Sequence, residues 1–146
     1  MRRRILVPWL LASVVMFGLS FLWHGVFLRD LVMVRLPMGL YFTLAALVYL
    51  LVGMGITLAV HQAIVHEWIN LKHAFPFMSM LVGAIVGFIV FLIVFTLGFS
   101  FTKDGMVHML VDVLWQMFEQ AMGGLMVSLG IIYDLHRSFL EQERAK

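Results

Sequence analysis

The sequence has no cysteine and few charged residues, and each shortage excludes classes of protein. Without cysteine there is no disulfide, thiolate metal site, iron–sulfur cluster, covalently attached c-type haem or cysteine nucleophile. Charged residues make up 12% of the 146 residues and hydrophobic ones 63%, whereas soluble domains average about 25% charged and about 45–50% apolar. Too little polar surface remains to cover a water-facing globule, so the chain must be surrounded by lipid or by partner subunits.

Motifs for the common soluble chemistries are also missing. The few serines have no histidine and aspartate partners at matching depth, and the chain has no glycine-rich phosphate loop and no carboxylate pair spaced for glycoside hydrolysis. No basic stripe interleaved with aromatic residues is present either. We therefore expect neither an enzyme nor a nucleic-acid-binding protein.

Four apolar runs of about 20 residues predict four membrane-spanning helices. The predicted spans are residues 5–28, 37–60, 76–99 and roughly 106–133. Because the connections are short, sequential helices should be antiparallel neighbours. The sequence thus predicts an all-α integral membrane protein, a four-helix up-down-up-down bundle in which residues 1–146 form a single transmembrane domain.

Proline positions and the polar segments refine these boundaries. Pro8, Pro37 and Pro76 are each expected in the first turn of a span, where the missing N–H costs nothing and the fixed φ suits a helix. The segment 61–75 is predicted to extend the second helix along the headgroups. The polar C-terminal tail is predicted to continue the fourth helix beyond the membrane.

The distribution of lysine and arginine predicts the orientation. With the N-terminus inside, seven of the ten lysine and arginine residues lie on the inner side, so both termini are expected in the cytoplasm. The first span is expected to be a retained anchor, since its apolar run is too long for a signal peptide. The four-span plan with Trp23, His24 and Gly25 at the end of the first helix resembles small bacterial inner-membrane proteins, which implies that location.

A polar seam runs along the predicted fourth helix. His108, Asp112, Gln116 and Glu119 follow at steps of four, four and three, and so share one helical face, with Gln120 beside them. A charge near mid-bilayer costs about 2.5–3.5 kcal/mol on insertion scales. The seam is therefore expected to face other helices or a small cavity rather than lipid.

Depth along the helices, at about 1.5 Å per residue, predicts which residues face the seam. Tyr49 is expected level with Glu119 near the midplane, and His24 near the level of Asp112 in the outer half. The predicted deep cluster is Tyr49, Glu119 and Gln120. The predicted outer cluster is His24, Asp112, Gln116, Thr43 and Thr96, with His108 above it.

Several uses of this seam remain open. Its side chains could do no more than hydrogen-bond across helices. Alternatively, Glu119, Asp112 and His108 could relay protons or a small solute in from the outer face. A metal ion held by His24, His108 and Asp112, or a b-type haem held by the two histidines, is a further alternative. The expectation for cofactors is none, with a metal ion or haem left open.

Small residues predict close helix packing. Gly83 and Gly87 form a GxxxG motif with Gly98 on the same face, and Gly124 and Ser128 form a similar pair on the fourth span. These faces could pack within the bundle or against another subunit. The leading hypothesis is a structural or accessory subunit that contacts membrane lipid and associates with itself or with other membrane subunits.

Overall fold

A computed structural model describes residues 2–29, 37–71, 74–96 and 106–144, with side chains described from residue 5 in the first range and from residue 110 in the last. It contains α1 (Arg2–Phe21), which runs on into a π-helix (Leu22–Phe27), then α2 (Met38–Val65), α3 (Phe75–Thr96) and α4 (Met106–Arg144). None of these residues forms a strand. The predicted all-α, four-helix fold is confirmed.

Three of the helical segments are long and apolar enough to cross a membrane: Ile5–Phe27, Met38–Val65 and Phe75–Thr96. They indicate an integral membrane protein in contact with lipid. The fourth helix does not reach that threshold, because the polar residues of the seam lower its hydropathy. The crossing by α4, the up-down order and the cytoplasmic position of the termini stay predictions.

The length of α4 exceeds what a bilayer needs. Its 39 residues span about 58 Å at the α-helical rise, against about 30 Å for a hydrocarbon core. At its C-terminal end the exposed Arg137 Nε donates to Glu141 Oε1 at 2.9 Å, and this neighbour raises the pKa of Arg137. The tail thus continues the fourth helix, as predicted.

The segment after α2 differs from the prediction. The helix ends at Val65, and the chain then takes left-handed backbone conformations at Glu67 (φ 60°) and Ala74 (φ 51°). A right-handed helix cannot continue through such residues. The predicted helical extension across 61–75 is therefore wrong beyond residue 65.

The three prolines occupy different helical positions. Pro37 caps α2, and Pro76 is the second residue of α3, as the first-turn prediction requires. Pro8, however, lies inside α1, because that helix begins at Arg2. It packs closely against Gly130 of α4, where a side chain would meet the proline backbone. The first-turn expectation is therefore wrong for Pro8.

Glycines bring α3 and α4 into backbone contact. A Cβ at Gly83 would overlap the Gln120 carbonyl, and a Cβ at Gly124 would overlap the Ser79 carbonyl. Gly87 continues the contact one turn further along α3. Since residue numbers rise on one helix as they fall on the other, α3 and α4 are antiparallel along this glycine contact. These small residues are used within the bundle; Gly98 lies outside the described residues.

The first helix fills the space between α2 and α4. Trp9 Nε1 donates to the Leu50 carbonyl at 2.7 Å, and Gly53 lies against the side chain of Ser13. Met16 packs on α4 at a glycine and is fully buried. The fully buried apolar core is Ala12, Met16, Ile56, Val60 and Val127. This core is small, as expected for a chain whose outer surface is solvated by lipid.

Large apolar side chains cover the outside of every helix. Val14, Leu51, Phe77 and Leu114, one from each helix, are 65% to 74% exposed. In water such a surface would aggregate, whereas acyl chains solvate it.

We expect Gly83→Ala to destabilise the protein by about 1–3 kcal/mol, the usual cost of overpacking a close contact, because the new methyl group would meet the Gln120 backbone. The measurement is the free energy of unfolding in mixed detergent micelles. Gly18→Ala is the matched control, since nothing lies within 4 Å of its Cβ position; it should leave stability unchanged or slightly higher. Equal effects of the two changes would contradict this packing.

Candidate functional site

The seam on α4 passes from an exposed end to a buried one. Asp112 is exposed and Gln116 is half-buried, while Glu119 is 1% and Gln120 0% exposed. His108 belongs to α4, but its side chain lies outside the described ones. The two deepest polar residues are therefore enclosed by protein. The expectation that the whole seam faces other helices or a cavity is wrong at Asp112, which is exposed.

Gln120 faces α3. Its Cβ lies 3.2 Å from where a Cβ on Gly87 would stand, so the glycine makes room for the glutamine. Neither Oε1 nor Nε2 of Gln120 has a hydrogen-bond partner among the described residues, and the same holds for Ser79 Oγ. A buried polar group without a partner costs about 1–3 kcal/mol. Such orphaned atoms call for a bound water, ion or ligand.

Glu119 faces the opposite side, towards α1 and α2. The Tyr49 hydroxyl makes a hydrogen-bonding interaction with its carboxyl, and His24 interacts with it electrostatically. The Trp115 indole lies beside it, although Trp115 Nε1 and Glu119 Oε1 have no hydrogen-bond partner among the described residues. One oxygen of the carboxyl thus remains available to a proton donor or a cation.

The π-helix at the end of α1 positions His24. Trp23, its neighbour, stacks on Trp115 of α4 with ring centroids 4.1 Å apart and planes inclined by 10°. Stacking of this kind contributes about 0.5–1.5 kcal/mol beyond the buried area. The stack holds the π-helix against α4 just where the histidine approaches Glu119. π-Helical turns occur frequently at functional sites.

A cavity of about 10 Å³ lies beside this cluster, between α1 and α2. Its polar lining residues are Ser20, His24, Tyr41 and Tyr49. That volume is about the minimum for one water molecule, which also needs two to four polar partners. Ser20 makes a hydrogen-bonding interaction with Tyr49. A water here would link His24 to the tyrosine next to Glu119.

Three of these residues were not predicted. Ser20 lies four residues before His24, and this spacing on one helical face could have identified it. Tyr41 lies two turns before Tyr49 and could have been found in the same way. Trp115 carried no such signal, because an aromatic residue in a membrane helix is usually lipid-facing bulk.

The two threonines of the predicted outer cluster are engaged elsewhere. Thr43 Oγ1 donates to the Gly39 carbonyl at 2.8 Å, and Thr96 Oγ1 donates to the Leu92 carbonyl at 2.7 Å. Both threonines are exposed. The described structure therefore gives them contacts within their own helices rather than with the seam.

Buried hydroxyls continue towards the other end of the bundle. Ser13, Thr57, Ser79 and Ser128 are all 3% exposed or less. Ser13, Thr57 and Ser128 each donate to a backbone carbonyl of their own helix. This half of the bundle contains no described ionisable side chain at comparable burial, so it is far less polar than the half around Glu119.

The alternatives that need a bound metal or haem rest on His108. Among the described side chains there is no group of three histidine, aspartate or glutamate residues that could hold a metal ion. The predicted set of His24, His108 and Asp112 includes a side chain outside that part of the structure. Both the metal site and the b-type haem remain predictions.

No family model, curated protein or solved structure matches this chain.

We expect Gln120→Met to leave the free energy of unfolding unchanged or to raise it by about 1–2 kcal/mol. The reason is that replacing an unpartnered buried polar group by an apolar one of similar shape is neutral or stabilising. Unfolding in mixed micelles measures it. Trp9→Phe is the contrasting variant, because it removes an interhelical hydrogen bond. If Gln120→Met lowers stability as much as Trp9→Phe, the glutamine amide has partners in the folded protein.

Proposed function

We propose that the chain is a small transporter or channel of a bacterial inner membrane, with both termini in the cytoplasm, that moves protons or a small solute through the seam of α4. Glu119 would be the central group: its carboxyl takes up a proton or a cation and releases it again. The observation that carries this proposal is the buried carboxyl oxygen Oε1, which has no described hydrogen-bond partner.

The arrangement around Glu119 supports a route by which a proton reaches this carboxyl from one side of the membrane. The cavity with its tyrosine and histidine lining lies between α1 and α2, and Tyr49 and His24 both interact with Glu119. A proton could pass along a water and the tyrosine hydroxyl, each accepting one hydrogen and giving up another. His108 and Asp112 would extend this route to the outer surface.

The opposite half of the bundle would act as a barrier. Three of its four buried hydroxyls, those of Ser13, Thr57 and Ser128, already donate to their own helices, and glycine contacts pack α3 closely against α4. Release of the proton or solute to the inner side would therefore need a movement of helices, as expected for alternating access.

Proton flux tests the proposal directly. Purified protein in liposomes, with a pH-sensitive dye inside and a potassium diffusion potential, should acidify the lumen faster than protein-free liposomes do. Glu119→Gln should reduce the flux to the protein-free level, because an amide cannot take up a proton. Replacing a second carboxyl in the same way provides the control: Glu141→Gln, in the exposed tail, should leave the flux unchanged.

Two results would overturn the proton proposal. One is equal flux in wild-type and Glu119→Gln liposomes. The other is a wild-type flux no greater than that of protein-free liposomes.

The second candidate function is an accessory or self-associating subunit. The outer face of α2 favours it: Leu51 and Leu58 are 74% and 47% exposed, and nothing lies within 4 Å of a Cβ on Gly55 between them. A small residue flanked by leucines lets another membrane helix approach closely. The internal use of Gly83, by contrast, removes one surface that this hypothesis relied on.

Native mass spectrometry of the detergent-extracted protein tests the accessory role. We expect either a homo-oligomer or a fixed stoichiometry with another membrane protein, and Gly55→Leu should dissociate it, because the larger side chain would separate the helices. A monomer without co-purifying protein, both before and after mild chemical cross-linking in membranes, would argue against this candidate.

A further inference from the structure

A second cavity, of about 150 Å³, lies at the end of the bundle where α1 begins and α2 ends. It is separate from the Glu119 cluster and forms no part of the proposed pathway. An engineered protein cavity of this size accommodates a six-carbon molecule such as benzene. The cavity is therefore large enough for a ligand rather than a single water.

Most of the lining is hydrocarbon. It consists of Ile5 from α1, Ile64 from α2, Leu71 from the following segment, and Ile131 and Leu135 from α4. Such a lining favours a ligand with an aliphatic hydrocarbon part, because burial of each methylene group contributes about 0.8 kcal/mol.

The polar part of the lining is rich in acceptors. Asp134 contributes a carboxylate, which only accepts hydrogen bonds. Thr57 donates its one hydroxyl hydrogen to the Gly53 carbonyl at 2.8 Å, so its oxygen also acts only as an acceptor. His61 adds one acceptor nitrogen in its neutral form. Arg137, one turn beyond Asp134, forms an ion pair with Glu141 and also interacts electrostatically with Asp134.

We propose that this cavity binds a primary ammonium group carried on a short hydrocarbon body. An ammonium supplies three N–H donors and a positive charge, which match the carboxylate, the hydroxyl oxygen and the imidazole in the lining. An anionic head would be repelled by Asp134. The same chemistry occurs in the head of an aminophospholipid and in a free alkylamine, and the experiment separates these two sources.

Lipid competition is the first arm of the test. The detergent-extracted protein is incubated with equimolar phosphatidylethanolamine, phosphatidylcholine and phosphatidylglycerol of identical acyl chains, and native mass spectrometry reads the retained lipid. If the source is the lipid head, phosphatidylethanolamine is retained about tenfold over the other two, the scale of one charge-assisted hydrogen bond. Asp134→Asn should abolish the preference, while the exposed carboxyl variant Glu143→Gln should keep it.

Small molecules provide the second arm. Hexylammonium should raise the unfolding midpoint of the wild-type protein, whereas 1-hexanol, with the same hydrocarbon body, should not. Ile131→Trp, which fills the cavity from its apolar side, should abolish the effect while leaving Asp134 in place. This variant keeps the test valid if Asp134→Asn fails to fold.

The outcomes separate the sources and can reject the proposal. A phosphatidylethanolamine preference that depends on Asp134 assigns the site to the lipid head. Stabilisation by hexylammonium without any lipid preference assigns it to a free alkylamine. Equal retention of the three lipids together with equal effects of hexylammonium and hexanol overturns the proposal, whatever the flux measurements give for Glu119.

Discussion

The structure depends on one constraint: polar atoms that enter the bilayer must be covered by protein, because lipid offers them no hydrogen bonds. The fourth helix carries two such buried groups, Glu119 and Gln120, and it covers them by packing along two neighbours. On one side, glycines of α3 bring the two backbones together over Gln120. On the other, α1 and α2 enclose Glu119 between Tyr49 and His24. Lipid-facing leucines and phenylalanines then complete the surface.

Much of the fold could be predicted from the sequence, because apolar runs of membrane-spanning length are a strong signal. The helices follow from composition, and the close packing at Gly83, Gly87 and Gly124 follows from the spacing of small residues. The end of α2 could not be predicted, since the left-handed conformations at Glu67 and Ala74 are unusual for their residue types. The start of α1 at Arg2 could not be predicted either, because basic residues before Pro8 can belong to a helix or to a headgroup segment.

The candidate site was predictable in part. Counting the helical rise puts Tyr49 level with Glu119, and the structure brings these two side chains together. Counting the helical rise could not reveal the π-helix around His24. A π-helical turn contains an additional residue, and whether it forms depends on the side chains that pack against the helix. Here the packing partner is Trp115, whose stack with Trp23 joins residues 92 positions apart in the sequence. Contacts between residues so far apart leave no periodic pattern in the sequence from which they could be predicted.

The two buried neighbours on α4 have different mechanical surroundings, and this bears on how a membrane site could change state. Gln120 lies against the backbone of α3, where the glycine contacts leave no space for the two helices to move closer. Glu119 lies against side chains, at a π-helix whose hydrogen bonding is already irregular. Moving α4 away from α3 would expose backbone and two orphaned amide atoms to lipid, whereas rotating rings at the end of α1 costs far less. A change at Glu119 is therefore expected to move the end of α1 while α3 and α4 remain together as one unit.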